Sequence, residues 1–140
     1  MSLWRNKALE TFPDLRRELT SPDVDSTYAM WTRVLLPLAE EAQARDDRSL
    51  LGRIHGYAAW SMRQPGKDVW NAAAVSFYEE LFNKSHSKDW IERVVEWIPD
   101  DVVKDVWGLW AERLSPNDVE LLRKHLSKRP GLKSWLARKS

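Results

Sequence analysis

Apolar residues recur at helical spacing along most of the chain. Between residues 90 and 98 they fill about 160° of a helical wheel, and charged residues occupy the opposite side. The same pattern returns between residues 102 and 110, so the sequence predicts two similar helices in succession. Alternation with a period of two residues is missing, and β-branched residues are sparse apart from a few valines, so we predict no β-strand.

Short polar breaks separate the helical segments. They lie at residues 20–26, 64–67, 83–87, 98–101, 114–118 and 128–131. Ser115 and Pro116 have the residue types that favour a helix start, a serine N-cap followed by proline at the first helical position. We therefore predict one all-α domain over residues 1–140, with about six or seven antiparallel helices. Within it, residues 128–140 are expected to form a basic C-terminal tail or a short helix.

The central segment 68–82 reads DVWNAAAVSFYEELF and is apolar over about 200° of the helical wheel. Such a wide apolar arc predicts a central helix with neighbours on two sides. Asn71 falls inside the arc, where an unsatisfied amide would cost about 1–3 kcal/mol. With Asp68 as N-cap, Asn71 is the third helical residue and bonds back to the preceding backbone, as in a capping box. We therefore predict that Asn71 fixes the turn at 64–67 to this helix.

Part of this segment resembles the inner helix of a HEAT-type repeat. In that pattern an acid precedes a valine, a small residue follows four positions later, and a large apolar residue comes four positions after that. The matching residues are Asp68, Val69, Ala73, Phe77 and Leu81, with Trp70 where an arginine is usual. The resemblance implies a short HEAT-like helical-repeat array, and an irregular bundle agrees equally well with the hydrophobic pattern.

Composition limits the class of protein. A chain of 140 residues is long enough for one domain that buries about two-thirds of its unfolded surface. It is 43% hydrophobic and 31% charged, which is typical of a soluble globular protein. Neither a bilayer-spanning apolar stretch nor a secretory signal is visible, so we expect a cytoplasmic protein without membrane contact. The absence of cysteine excludes disulfides and thiolate metal sites.

Charge is distributed unevenly along the chain. The last 20 residues carry seven basic residues and no acid, whereas the first 120 residues carry 21 acidic against 15 basic residues. A solvated terminal helix explains this asymmetry, and so does a contact with an anionic partner such as nucleic acid. For that second interpretation the candidate contacts are Arg123, Lys124, Lys128, Arg129, Lys133 and Trp135, the last as a base-stacking group.

Nine tryptophans are several times the usual number for a chain of this length. Five of them fall within the apolar arcs of their helices, and we predict that these belong to the core. They are Trp31, Trp90, Trp97, Trp107 and Trp110.

Trp60 differs from these five because it lies on the polar side of its helix. Arg53, Arg63, Gly52 and Gly56 surround it on the wheel. A large aromatic residue between arginines is typical of an anchor in a protein interface, so we predict that Trp60, Arg53, Arg63 and Gly56 bind a partner. The alternative is that a further helix of the same chain packs on this side, with both glycines allowing its close approach.

Groups that could meet to perform catalysis are not evident. His55, His86 and His125 lie in different segments, without a second histidine at i+3 or i+4. We interpret His55 and His125 as histidines at the rim of the core, and His86 as a loop residue. No glycine-rich phosphate loop is present, and adjacent carboxylates on a helix point about 100° apart. We therefore expect no catalytic, metal-binding or cofactor-binding residue, no cofactor, and no enzymatic activity.

Two segments resemble small all-helical bacterial proteins, including immunity-like members of toxin systems. One is the FPDL element at 12–15, and the other is the segment 71–79, which resembles an N-A-x-V-S-F-x-E helix with an extra alanine. The resemblance implies a protein that binds and neutralises a protein partner without catalysis. Our first hypothesis is therefore a non-enzymatic protein-binding module, with an immunity-type toxin inhibitor as its specific form and a basic protein as the expected partner. The alternative is a nucleic-acid-binding helical protein that uses the basic C-terminal segment.

Overall fold

The computed structural model describes residues 2–83 and 87–139, and within these ranges the backbone forms nine helices and no strand. The helices are α1 (Leu3–Thr11), α2 (13–19), α3 (27–45), α4 (Arg48–Met62), α5 (67–82), α6 (Lys88–Val95), α7 (Asp100–Arg113), α8 (Pro116–Leu126) and α9 (Pro130–Arg138). The predicted all-α fold is confirmed. The predicted number of six or seven helices is too low, and residues 130–138 are helical.

Two breaks in addition to the six polar breaks account for the larger number of helices. Phe12 ends α1, and Pro13 starts α2 with a 3₁₀ turn, because proline lacks the N–H group that a continuing helix needs. Asp46 ends α3 in the left-handed conformation, with φ of 54°. The carboxylate of Asp47 then accepts a hydrogen bond from the backbone N–H of Leu50 and caps α4.

Helix starts with a serine cap follow the sequence signals. The Ser26 side chain accepts from the backbone N–H of Ala29 at the start of α3. At the start of α8 the Ser115 side chain accepts from the N–H of Asp118, and Pro116 occupies the first helical turn, as predicted.

Helix α5 is central, as predicted, because it packs against α3, α4 and α7. Where α3 and α5 meet, each contains a π-helical turn, Trp31–Leu35 and Ala74–Tyr78. The rings of Trp31 and Phe77 stack there, with centroids 4.7 Å apart. Trp110 of α7 donates from its indole Nε1 to the backbone carbonyl of Tyr78 at 3.0 Å. An aromatic core therefore joins the three central helices.

Asn71 does not cap its helix, so that prediction is wrong. Helix α5 starts at Lys67, with Gly66 as N-cap and no side-chain capping bond, which makes Asn71 the fifth helical residue. From there it faces α3, and its Nδ2 donates to the hydroxyl oxygen of Tyr28 at 2.9 Å. The structural role predicted for Asn71 remains, but its partner is another helix instead of the preceding turn.

Replacing Asn71 by alanine should lower the free energy of unfolding by about 1 kcal/mol, because the Tyr28 hydroxyl loses its bond. A urea-unfolding cycle with Tyr28→Phe and the double variant should give a coupling of about 0.5–1.5 kcal/mol between the two side chains. Asn83→Ala serves as a control, because Asn83 is exposed and, among residues 2–83 and 87–139, its side chain bonds to nearby Glu80. Additive single effects at 71 and 28 would contradict the interhelical bond.

Candidate protein-binding face

Helix α4 presents a row of residues at spacings of three and four, so that they share one side of the helix. We call this row the α4 face, and it consists of Ser49, Gly52, Arg53, Gly56, Trp60 and Arg63. Arg53 and Trp60 are half-buried, and the other four are exposed. The four residues predicted to bind a partner are therefore brought together on one surface.

The N-terminal helices form one border of the α4 face. The Arg53 Nη1 donates to the Asp14 carboxylate at 3.0 Å, just after the start of α2. From α1, the Lys7 ammonium lies 5.9 Å from the centre of the Trp60 ring, which is within range of a cation–π contact. This border therefore carries an ion pair and a cation above the aromatic ring.

The turn between α6 and α7 and the first residues of α7 form the other border. The Arg63 guanidinium makes two bonds to the Asp101 carboxylate, at 2.9 and 3.0 Å. At the far end of the same border, the Arg48 guanidinium lies 4.7 Å from the centre of the Trp97 ring. Trp97 was predicted to lie in the core, but its ring is half-buried and borders the α4 face. It is the aromatic residue of this surface that the sequence pattern did not reveal.

Both aspartates of the borders are held in the charged form. The hydrogen bond from Arg53 lowers the pKa of the Asp14 carboxyl, and the hydrogen bond from Arg63 lowers the pKa of the Asp101 carboxyl. Because Arg53 is only partly buried and the other three side chains are exposed, these pairs contribute little to stability. Their main effect is to give each border a fixed arrangement of opposite charges at neutral pH.

Between the two borders the surface is open. A Cβ atom added at Gly56 would have no described neighbour within 4 Å beyond the adjoining residues and backbone of its own helix, and one added at Gly52 would lie 3.9 Å from Trp97, an ordinary van der Waals distance. Neither glycine has a positive φ. Among the described residues, no further helix packs closely over these glycines, which disagrees with the alternative interpretation. Each glycine costs the helix about 1 kcal/mol relative to alanine, without a requirement from the fold.

Trp60 lies beside this open surface with one side of its ring supported. The ring stacks on Tyr57, with centroids 5.7 Å apart and planes 22° from parallel. Tyr57 is fixed in turn, because its hydroxyl donates to the backbone carbonyl of Trp4 at 2.8 Å. Trp31, Trp107 and Trp110 are buried as predicted, whereas Trp90, like Trp97, is only half-buried. Trp60 is therefore a rigidly held, partly exposed aromatic side chain.

The predicted nucleic-acid contacts do not form one set in the structure. Arg129 donates to the carbonyl oxygens of Val95 and Ile98, both at 2.6 Å. Arg123 donates to the carbonyl of Leu136 at 3.1 Å, and its guanidinium lies 5.1 Å from the centre of the Trp107 ring. Two of the five predicted cations thus serve the packing of the C-terminal helices.

The other members of that set remain at the surface. Lys124, Lys128 and Lys133 are exposed. Trp135 is half-buried, and the Lys139 ammonium lies 5.2 Å from the centre of its ring, where a stacked base would otherwise bind. A single basic stripe with a free aromatic ring, which is what single-strand binding requires, is not formed by these residues.

The histidines do not assemble a reactive group. His55 is 4% exposed, stacks on the Trp97 ring with centroids 5.8 Å apart, and has no hydrogen-bond partner for either ring nitrogen in the described chain. Burial lowers its pKa to about 3. His125 is half-buried, and His86 lies outside the described residues. No cluster of three or more histidine or acidic side chains in the described ranges is arranged to hold a metal ion.

None of the described helices combines the length and the apolar character that a bilayer crossing requires. In comparisons with curated proteins and with solved structures, nothing matches. A family model described as a domain of unknown function, DUF7674, matches residues 5–126. The matched span includes the whole α4 face and both of its borders, and it ends with α8. The chain therefore belongs to the DUF7674 family.

Proposed function

We propose that the protein is a non-enzymatic protein-binding module and that the α4 face is its binding surface. The observation that carries this proposal is the open position at Gly56 beside the half-buried Trp60. Partly exposed aromatic and arginine side chains supply much of the binding energy in protein interfaces. Glycines on the same face let the backbone of a partner approach closely. Such a role would explain why glycine occurs at these positions, although it weakens an exposed helix.

The proposed partner is a basic protein. The first 120 residues, which contain the α4 face, carry 21 acidic and 15 basic residues. Such an excess of acids attracts a basic partner and speeds its association. Side chains that mix charges of both signs at the borders then select among basic partners, because a wrongly placed charge is repelled.

An immunity-type inhibitor of a bacterial toxin is the specific form of this proposal. Of the two segments that resemble immunity-like proteins, 12–15 contributes directly to the α4 face, because Asp14 bonds to Arg53 and the Phe12 ring packs against Tyr57. The HEAT-like array implied by Asp68 to Leu81 belongs to the same proposal, since helical arrays bind partners along exposed helix faces.

A pair of glycine substitutions tests the binding surface. Gly56→Gln should raise the free energy of unfolding by about 0.5–1 kcal/mol, because glutamine is a better helix former and the position is open. The same change should weaken partner binding, because the new side chain occupies the space that the partner needs. Gly108→Gln is the matched control, since Gly108 is an equally open position inside α7. It should gain similar stability and keep full binding.

The binding probe is the protein encoded by the gene adjacent to the one for this chain, co-expressed and purified with each variant. Isothermal titration calorimetry then gives the affinity, and growth of the expression host reports neutralisation of a toxin. Trp60→Ala should weaken binding about tenfold or more, while it lowers the free energy of unfolding by only about 1–2 kcal/mol. If Gly56→Gln and Gly108→Gln bound the partner with equal affinity, the interface would not lie on the α4 face. Absence of a complex with the adjacent gene product would contradict the toxin partner.

A further inference from the structure

A shallow pocket lies between α6 and α8, away from the α4 face. The side chains of Lys88, Lys124, Lys128 and His125 line it, with the buried Ile91 at its floor. It measures about 280 Å³, including the solvent in its mouth. Four basic side chains from two helices thus converge on one concave surface.

This pocket has more positive than negative charge. Glu92 is its one acidic residue, and its carboxylate lies 3.8 Å from the Lys88 ammonium. Neither Lys124 nor Lys128 forms an ion pair with any carboxylate of residues 2–83 or 87–139. Lys124 is on α8, Lys128 lies two residues beyond its end, and both line this pocket, so their ammonium groups repel each other. A bound anion would remove this repulsion.

His125 adds a polar atom without a partner. Its Nδ1 is buried and makes no hydrogen bond to any described residue. Burial lowers the pKa of His125; Glu92 opposes this shift, and the nearby Lys128, Arg129 and Lys88 reinforce it. The ring of His125 thus lines the pocket beside the two exposed lysines, where its NMR signals can report on a bound anion.

We propose that this pocket binds one phosphate group of a small anion. Lys124 and Lys128 supply the opposite charge, and the His125 ring lies beside them in the lining of the pocket. A phosphate group fits these donors because it carries up to two negative charges and has oxygens in several directions, so that donors from two helices reach it together. The site is independent of partner binding at the α4 face.

Inorganic phosphate and pyrophosphate are the probes, titrated at pH 7 and constant ionic strength with chloride as the competing anion. The ring signals of His125 in an NMR spectrum, assigned with a His125→Gln variant, should shift and saturate, while those of buried His55 stay unchanged. The Lys124→Ala/Lys128→Ala double variant should bind about 100-fold more weakly, at about tenfold for each ammonium group removed. Lys104→Ala is the control, because Lys104 is exposed on α7, and it should keep the wild-type affinity.

Two results would overturn the proposal. In one, the double variant and the wild type respond equally to phosphate, which would show that the lysines bind no anion. In the other, a short DNA duplex shifts the His125 signals whereas phosphate and pyrophosphate do not, and the pocket would then be part of a nucleic-acid surface. A circular-dichroism spectrum confirms that each lysine variant is folded, as the exposure of both side chains leads us to expect.

Discussion

Replacing Arg129 by methionine should lower the free energy of unfolding by about 3 kcal/mol. The guanidinium bonds to the carbonyl oxygens of Val95 and Ile98 and, at 3.1 Å, to the Asp100 carboxylate. Carbonyl groups at the end of a helix lack partners within the helix, and a cation there also interacts favourably with the helix dipole. Methionine keeps most of the side-chain volume but leaves these three acceptors without the donor.

Urea unfolding of the purified variant measures this loss. Lys128→Met is the matched control, because Lys128 is the preceding residue, is exposed, and makes no comparable bonds. Its free energy of unfolding should stay within about 0.5 kcal/mol of the wild type. If the Arg129 and Lys128 variants were equally stable, the contacts of Arg129 would not support the fold, and its role in binding an external anion would have to be reconsidered.

Acidification from pH 6.5 to 4.5 should destabilise the protein by about 2 kcal/mol through His55 alone. Burial holds its pKa near 3 in the folded state, whereas the unfolded chain has the ordinary value of 6.5. Between these values the unfolded chain binds a proton that the folded protein does not, so acid favours unfolding. The loss is about 1.4 kcal/mol per pH unit below 6.5, and the contribution of His55 is fully present above it.

A His55→Phe variant isolates this effect. Phenylalanine keeps a ring against Trp97 and removes the two unpaired nitrogens, so it should be at least as stable as the wild type at pH 7. Its stability should change less than that of the wild type between pH 6.5 and 4.5, and the lowered pKa of His125 accounts for part of the slope that remains. The lowered pKa values of Asp14 and Asp101 do not interfere, because their contributions are lost only as the pH falls below about 4. An unchanged slope in the variant would assign the acid sensitivity to other groups.

The helical class and the composition of the candidate face were predictable, because both depend on patterns within single segments. Trp60 stood out as an aromatic residue among polar positions, and it is indeed partly exposed. Helix ends without a strong signal were not predictable, since Asp46 stops α3 through a left-handed conformation that its side chain does not require. The length of α3 therefore depends on one backbone angle more than on composition.

Contacts between distant segments were also not predictable from the sequence pattern. Asn71 was correctly expected to be structural, but its partner Tyr28 lies 43 residues away. Arg129 looked like one member of a basic surface, and only the folded chain brings it to the end of α6. Helix packing decides which distant residues bond to each other within the chain. The helical wheel of one segment contains no information about that packing.

The first two residues of α7 link two parts of the molecule. Asp100 bonds to Arg129 at the start of α9, and the next residue, Asp101, bonds to Arg63 on the α4 face. Gly131 permits this arrangement, because a Cβ atom there would lie 2.5 Å from the Asp100 carboxylate. Two adjacent side chains thus tether α9 and α4 to the first turn of α7. We therefore expect detachment of α9, by proteolysis or by a competing ligand for Arg129, to loosen the border of the α4 face that Asp101 forms.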